Sequence, residues 1–403
     1  MGYAFTPGDV LFLQSPDGTA ALEEMDGYTL SSSTRLADIG QARRRFGSYA
    51  SVLMETVMLR RKAVAKLPGT GSWLFTNDAL QQATPGAVAV HRARRLRDRN
   101  VHDVTCSIGA ELDAAASTAA TVIGSDIDPV RLLMARHNVP EATVLRADAL
   151  VPCTRDTVVL ADPARRSGGR RTHHPAALEP PLPDLIDAYS GRDLAVKCAP
   201  GLDFDRLDWD GEIEVISLDG GVREACLWSP GLSAADVTRR ASVLTSDGSS
   251  WTLTDAEDDE LPERSPGQWI IDPDGAVVRA GLVRHYAARH GLWQLDPRIA
   301  YLTGDSVPEG ARGFRILDRI KYSEKALRQE LARHDCGVVE ILVRGVDVDP
   351  AILRPRLKLR GNRSLSVVIT RIGRAGVAFI CESPPVKHSR VSGRRTVRRS
   401  ESE

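Results

Sequence analysis

Val101-His102-Asp103-Val104-Thr105-Cys106-Ser107-Ile108-Gly109-Ala110-Glu111-Leu112 runs from a β-rich stretch through a loop of small residues into a helix. The middle of the chain repeats that alternation. β-rich runs at 101–105, 121–125, 143–147, 157–161, 193–197, 212–218 and 225–228 are separated mostly by stretches with helical spacing of apolar residues. Strands joined by helices imply βαβ units and a parallel sheet covered on both faces, an α/β fold. Such a sheet takes its ligand at the carboxyl ends of its strands.

Four of those ends carry an aspartate or a loop of small residues. The first is the quoted loop after Asp103, where small side chains let a ligand approach the backbone. The second is Gly124-Ser125-Asp126-Ile127-Asp128-Pro129, one βαβ step later, where a carboxylate is placed to accept the hydroxyls of a ribose. Arg146-Ala147-Asp148 follows the third run, placed to meet an adenine edge, and Ala161-Asp162-Pro163-Ala164-Arg165-Arg166 follows the fourth. Together they describe a slot shaped for a nucleoside, with an acid facing what lies beyond it. The first loop offers Gly109 alone where G-x-G-x-x-G would serve a dinucleotide, and no G-x-x-x-x-G-K-[ST] occurs. An adenosyl ligand without a pyrophosphate is the reading left.

These motifs, in this order and spacing, resemble class I S-adenosylmethionine-dependent methyltransferases. More narrowly, Leu80-Gln81-Gln82-Ala83-Thr84-Pro85 before the core and Lys358-Leu359-Arg360-Gly361 near the end resemble bacterial methyltransferases with a C-terminal THUMP-like domain. These are similar in turn to trimethylguanosine synthase and RNA guanine-N2 methyltransferases. The resemblance implies a Rossmann-like seven-stranded core, a helical N-terminal region and a smaller basic α/β module. It also implies S-adenosylmethionine as cofactor, with Ser107 and Gly109 along its methionine part, Asp126 on the ribose, Asp148 on the adenine, and Gln82 and Thr84 closing the pocket. In the amino-methylating relatives the catalytic motif is D-P-P-[FYW], whose acid and backbone carbonyl orient an amine while the ring stacks on the base. Here Asp162-Pro163-Ala164 keeps the acid and loses the ring. Arg165 and Arg166 are then candidates for holding a base or its phosphates. D-P-A-R also looks like the motif of RNA uracil-C5 methyltransferases, in which a cysteine after the next strand attacks the base. Cys198, next to Lys197, stands at that place.

The whole composition suits a soluble protein of several domains: 403 residues, 42% hydrophobic and 26% charged. No apolar run is long enough to span a bilayer, the start lacks a secretory pattern, and six scattered cysteines form no C-x-x-C pair. A cytoplasmic protein without a metal or a membrane partner is expected. His173-His174 reads as a solvent loop, since no third ligand is spaced for it. Net charge is zero, yet fourteen Lys and Arg stand against three acids between Arg344 and Arg399. A basic terminal module suits a polyanion. Lys197, Arg344, Arg356, Lys358, Arg360 and Arg363 are the candidate RNA contacts beyond the catalytic loop. The expected divisions are a helical region over 1–98, a methyltransferase domain over 99–230, a β-rich connection over 231–322, a THUMP-like module over 323–385 and a basic tail over 386–403. Thr84-Pro85 reads as a cap and first-turn proline of the last N-terminal helix.

The reading is a methyltransferase acting on a base nitrogen of transfer or ribosomal RNA. A methyltransferase for a protein or small molecule, and a non-catalytic RNA-binding or ribosome-assembly factor, are the alternatives.

Overall fold

The computed structural model describes residues 3–383, apart from Arg165, Gly168, Gly169 and 172–174. Its contacts divide the chain into two units. The first comprises residues up to Asp258 and Asp274–His285, and the second Asp259–Pro273 and residues from Tyr286 onward.

The first unit begins with α1 (Pro7–Gln14), α2 (Pro16–Asp26), α3 (Arg35–Phe46), α4 (Ala50–Ala63), α5 (Asn77–Gln82) and α6 (Gly86–Arg95). Local sequence sets several of their starts. Thr6 and Asp9 form a capping box with Pro7 in the first turn of α1, and Ser15 caps α2 ahead of Pro16. Thr76 caps α5 through the Ala79 N–H. The cap expected at Thr84 is not there: Pro85 is the N-cap of α6, and Thr84 is buried instead.

The sheet follows: β1 (Asn100–Asp103), α7 (Ala110–Ala116), β2 (Thr121–Asp126), α8 (Pro129–Asn138), β3 (Thr143–Arg146), β4 (Val158–Ala161), a small pair β5 (Arg166–Ser167) and β6 (Arg170–Arg171), then α9 (Leu182–Ala188), β7 (Leu194–Cys198), β8 (Glu212–Leu218), β9 (Gly221–Trp228), β10 (Arg239–Leu244) and β11 (Ser250–Thr254). The large sheet runs β11-β10-β8-β9-β7-β4-β1-β2-β3. Neighbours from β3 to β7 are parallel, whereas β9 lies antiparallel between β7 and β8. The seven-stranded core is thus present, with one reversed strand, and β10 and β11 extend its edge. The short α10 (Gly275–Arg279) packs on β8 and β10.

Two expected divisions fall elsewhere. Val10, Leu53, Leu74 and Phe75 of the helical region share one core with Ile108, Leu112 and Met134 around the sheet, so no boundary in packing falls at residue 98. Residues 231–322 are not one connecting piece, because β10 and β11 pair into the first sheet.

The second unit contains β12 (Trp269–Asp272), the end of α11 (Val283–Arg289), β13 (Trp293–Gln294), β14 (Leu302–Gly304), β15 (Arg312–Lys321), α12 (Glu324–Arg333), β16 (Cys336–Val343), α13 (Pro350–Arg356), β17 (Arg363–Ile372) and β18 (Ala375–Glu382). Its sheet runs β13-β14-β12-β15-β18-β17-β16. β16 and β17 are parallel, with α13 in the crossover between them. Leu327 and Leu331 of α12 pack with Ile341, Val367 and Ile380.

Candidate functional site

Two cavities adjoin at the carboxyl ends of β1, β2 and β4. The larger, about 430 Å³, is lined by Asp103, Ser107, Glu111, Asp126, Ile127 and Asp148, together with Gln82 and Thr84. The smaller, about 320 Å³, is lined by Lys66, Pro163, Lys197, Arg223 and Glu224. Gln82, Ala83, Thr84, Asp162 and Ala164 line both. Asp162 therefore stands in the shared wall.

The larger cavity is shaped by carboxylates that fold its own loops. Asp126, 9% exposed, accepts the Ser107 N–H at 3.0 Å through Oδ2 and the Asp128 N–H at 2.9 Å through Oδ1. Ser107 itself has a left-handed backbone, φ 51°. Asp103 accepts the Thr105 N–H at 3.0 Å, and Thr105 Oγ1 accepts the Asp162 N–H at 2.7 Å, so the first loop braces the fourth. Burial pushes the Asp103 carboxyl up to about 8, against the pull of the Thr105 N–H. Asp148 accepts the Leu150 N–H at 2.9 Å and is exposed. Asn138, at the end of α8, donates to the carbonyls of Leu74 and Ile108 and accepts the Leu74 N–H, tying the helical region to the first loop.

Beneath the shared wall, Arg92 is 1% exposed and pairs with Glu111 and Glu224. Burial works against the Glu111 charge, but Arg92 and then Lys197 hold its carboxyl below the usual value. Asp162 Oδ2 accepts from Lys197 Nζ at 2.6 Å, and the same ammonium reaches the Gln82 carbonyl at 3.4 Å. Lys66 Nζ donates to the carbonyls of Leu80 and Gln81 at 2.9 and 2.8 Å.

Comparison with known proteins now places the chain. It is 57% identical over 356 residues to an uncharacterized S-adenosylmethionine-dependent methyltransferase of Mycobacterium tuberculosis, found in strains CDC 1551 and H37Rv; the match covers 84% of this chain and 99% of the relative. The chain belongs to the S-adenosylmethionine-dependent methyltransferases. Residues 311–383 of this methyltransferase match the THUMP domain-like family, and residues 6–63 match a domain of unknown function. Its fold is also that of a crystal structure from Porphyromonas gingivalis W83, provisionally described as a methyltransferase, with TM-score 0.71 and 20% identity over 94% of this chain and 100% of that one. No described helix is long and apolar enough to cross a membrane.

The expected site residues of the methyltransferase separate into those the fold gathers and those it does not. Ser107, Asp126, Asp148, Gln82, Thr84, Asp162 and Ala164 line the larger cavity, and Pro163 and Lys197 the smaller. Gly109 lines neither. Its φ of +92° starts α7, and a Cβ there would stand 2.9 Å from Val139 Cγ2, so its part is to let α7 lie close to α8. Lys197 is buried on Asp162 and lies inside the smaller cavity. Of the Pro163 and Ala164 carbonyls, either of which was expected to orient an amine, that of Ala164 accepts the Glu179 N–H at 3.0 Å. Cys198 is 4% exposed and lines neither cavity. Arg165 and His173-His174 lie outside the described residues, as does the Arg166 side chain.

In the second unit Arg344 pairs with Asp272 at 2.9 Å and lies over the Tyr301 ring, which makes it a structural cation and not a free RNA contact. Arg356 pairs with Glu324 at 3.0 Å on the surface. Lys358, Arg360 and Arg363 are exposed. Asp318, Glu330 and His334 approach one another as metal ligands would, but Arg333 already pairs with both acids. Lys66, Thr105, Glu111 and Asn138 escaped the sequence reading. Lys66 and Asn138 belong to no motif, while Thr105 and Glu111 stood inside the quoted run and were legible only as loop and helix.

Proposed function

We propose that this methyltransferase modifies a base nitrogen of structured RNA. The observation that carries the reading is Asp162 in the wall shared by two cavities. The larger has a volume within the roughly 300–1,000 Å³ range of small-molecule sites, and its carboxylates and loops suit a nucleoside. S-adenosylmethionine fits there with Asp126 toward the ribose hydroxyls, Asp148 toward the adenine and Ser107 toward the methionine part, while Gln82 and Thr84 close the wall. Bound so, the cofactor supplies an electrophilic methyl group.

The chain's own residues supply orientation and proximity. Lys197 holds Asp162 Oδ2, leaving Oδ1 to accept an N–H of an exocyclic amine and turn its lone pair toward the larger cavity. With the Ala164 carbonyl committed to Glu179, the Pro163 carbonyl is the second acceptor in the motif. A base paired within a helix has to leave its stack to reach this place. RNA as the substrate is supported by the THUMP-like match and by the exposed Lys358, Arg360 and Arg363 on that module.

The test is transfer of labelled methyl from S-adenosylmethionine to RNA from a strain lacking this protein, fractionated into transfer and ribosomal RNA. Label entering one fraction only with the active protein is expected. Label in neither, from protein shown to bind the cofactor, would move the assignment to a protein or small-molecule acceptor.

A further inference from the structure

The charges around the smaller cavity are unevenly matched. Glu224 is 2% exposed and tied to Arg92, and Asp162 takes Lys197, so both lining acids have a cation already. Lys66 and Arg223 line the same cavity, and among the described residues no ion pair is recorded for either. Lys66 meets two carbonyl oxygens, and Arg223 gives one N–H to the Leu218 carbonyl at 3.2 Å. Carbonyl dipoles satisfy donors without cancelling a full charge. An ammonium also has three donors, of which the carbonyls of Leu80 and Gln81 take two. Burial, and then the charges of Lys197 and Lys62, press the Lys66 amine down to about 8. Half-buried Lys66 and exposed Arg223 thus line one cavity whose two acids already hold other cations, and an anion entering that cavity finds both of them to pair with.

We propose that the smaller cavity seats an oxyanion of the acceptor substrate between Lys66 and Arg223, a backbone phosphodiester of the nucleic-acid strand next to the base presented to Asp162. This rests on the reading that the acceptor is RNA. A phosphodiester suits the place because every base of a strand carries one at a fixed reach, with two unbridged oxygens for one ammonium and one guanidinium. It also gives these two side chains work that selects a nucleotide over a free base. The carboxylate of a peptide is the competing anion.

The experiment uses the full chain saturated with S-adenosylhomocysteine and measures by calorimetry the binding of adenosine and guanosine 5′-monophosphates against the two nucleosides. At least one monophosphate is expected to bind about tenfold or more tighter than its nucleoside, the difference of roughly one charge-assisted contact. That advantage should shrink to within about twofold in Arg223→Ala and Lys66→Met and survive in Lys66→Arg. Because Lys66 also holds α5, Arg223→Ala keeps the test open if Lys66→Met fails to fold. Equal affinity for monophosphate and nucleoside, an advantage that survives Arg223→Ala, or acetate competing as well as phosphate would overturn the seat. Monophosphate selectivity in a protein that labels no RNA leaves the seat standing and fails the RNA reading. Label entering RNA at the wild-type KM in Arg223→Ala does the reverse.

Discussion

Gly109 shows how one residue shapes the site without lining either cavity. A side chain there meets both a left-handed backbone and the Val139 methyl group, so Gly109→Ala is expected to cost about 1–3 kcal/mol of stability by denaturant titration. A cost below about 0.5 kcal/mol would contradict the close approach. Asp126 gathers backbone N–H groups from two loops as well as lining the cavity, so Asp126→Ala should weaken S-adenosylmethionine by tenfold or more in calorimetry; an unchanged Kd would sink the ribose assignment. Asp103 acts on stability. Its carboxyl ionises near 8 in the fold and near 3.8 in the unfolded chain, so the unfolded state holds fewer protons in between. Its contribution is present below about pH 4 and is lost through pH 8, at about 1.4 kcal/mol per unit. Asp103→Asn should flatten the fall of Tm between pH 5 and 8 and raise Tm at pH 8. Parallel curves for the two proteins would refute the assignment. The aspartates were legible because each follows a β-rich run. Lys66 and Lys197 were not legible as neighbours, since nothing in local sequence says that residues 66 and 197 line one cavity.

At the scale of elements, α6, α7 and β9 are joined under the site by Arg92, Glu111 and Glu224. Removing the cation leaves the buried Glu111 and Glu224 carboxylates without their ion-pair partner, and Arg92→Met is expected to cost about 3 kcal/mol or more. A loss under 1 kcal/mol in denaturant titration would show that the network carries little. The strands of the core were readable because β-rich runs of four to seven residues mostly alternate with helices, and tertiary pairing kept what propensity suggested. Two failures have local causes. By propensity alone the β-branched pair Val277-Val278 is expected in a strand, yet it lies in α10, which Asp274 caps through the Ala276 N–H. β15 went unread because Arg312, Arg315, Asp318, Arg319 and Lys321 break its apolar alternation, while pairing with β12 and β18 supplies what propensity does not.

For the whole molecule, the divisions between units were the least legible feature. The chain leaves the first unit after Asp258, within the acidic run Asp255–Glu263, returns for Asp274–His285 and leaves again, and only three-dimensional contacts reveal such a path. The charge asymmetry was readable, but its meaning differs residue by residue: Arg344 braces its own unit, while Lys358, Arg360 and Arg363 remain exposed. Replacing those three by alanine should reduce the slope of log affinity for RNA against log salt by about 2 to 3 and leave cofactor affinity unchanged. An unchanged slope would place the RNA elsewhere.

The central claim is that Asp162, between the two cavities, orients the acceptor. Its most direct test is the rate of labelled methyl transfer by Asp162→Ala relative to the unaltered protein, at saturating S-adenosylmethionine on the responsive RNA fraction. The account predicts a fall of roughly 10²–10⁴-fold with cofactor binding intact. Turnover within tenfold of the unaltered protein would contradict it.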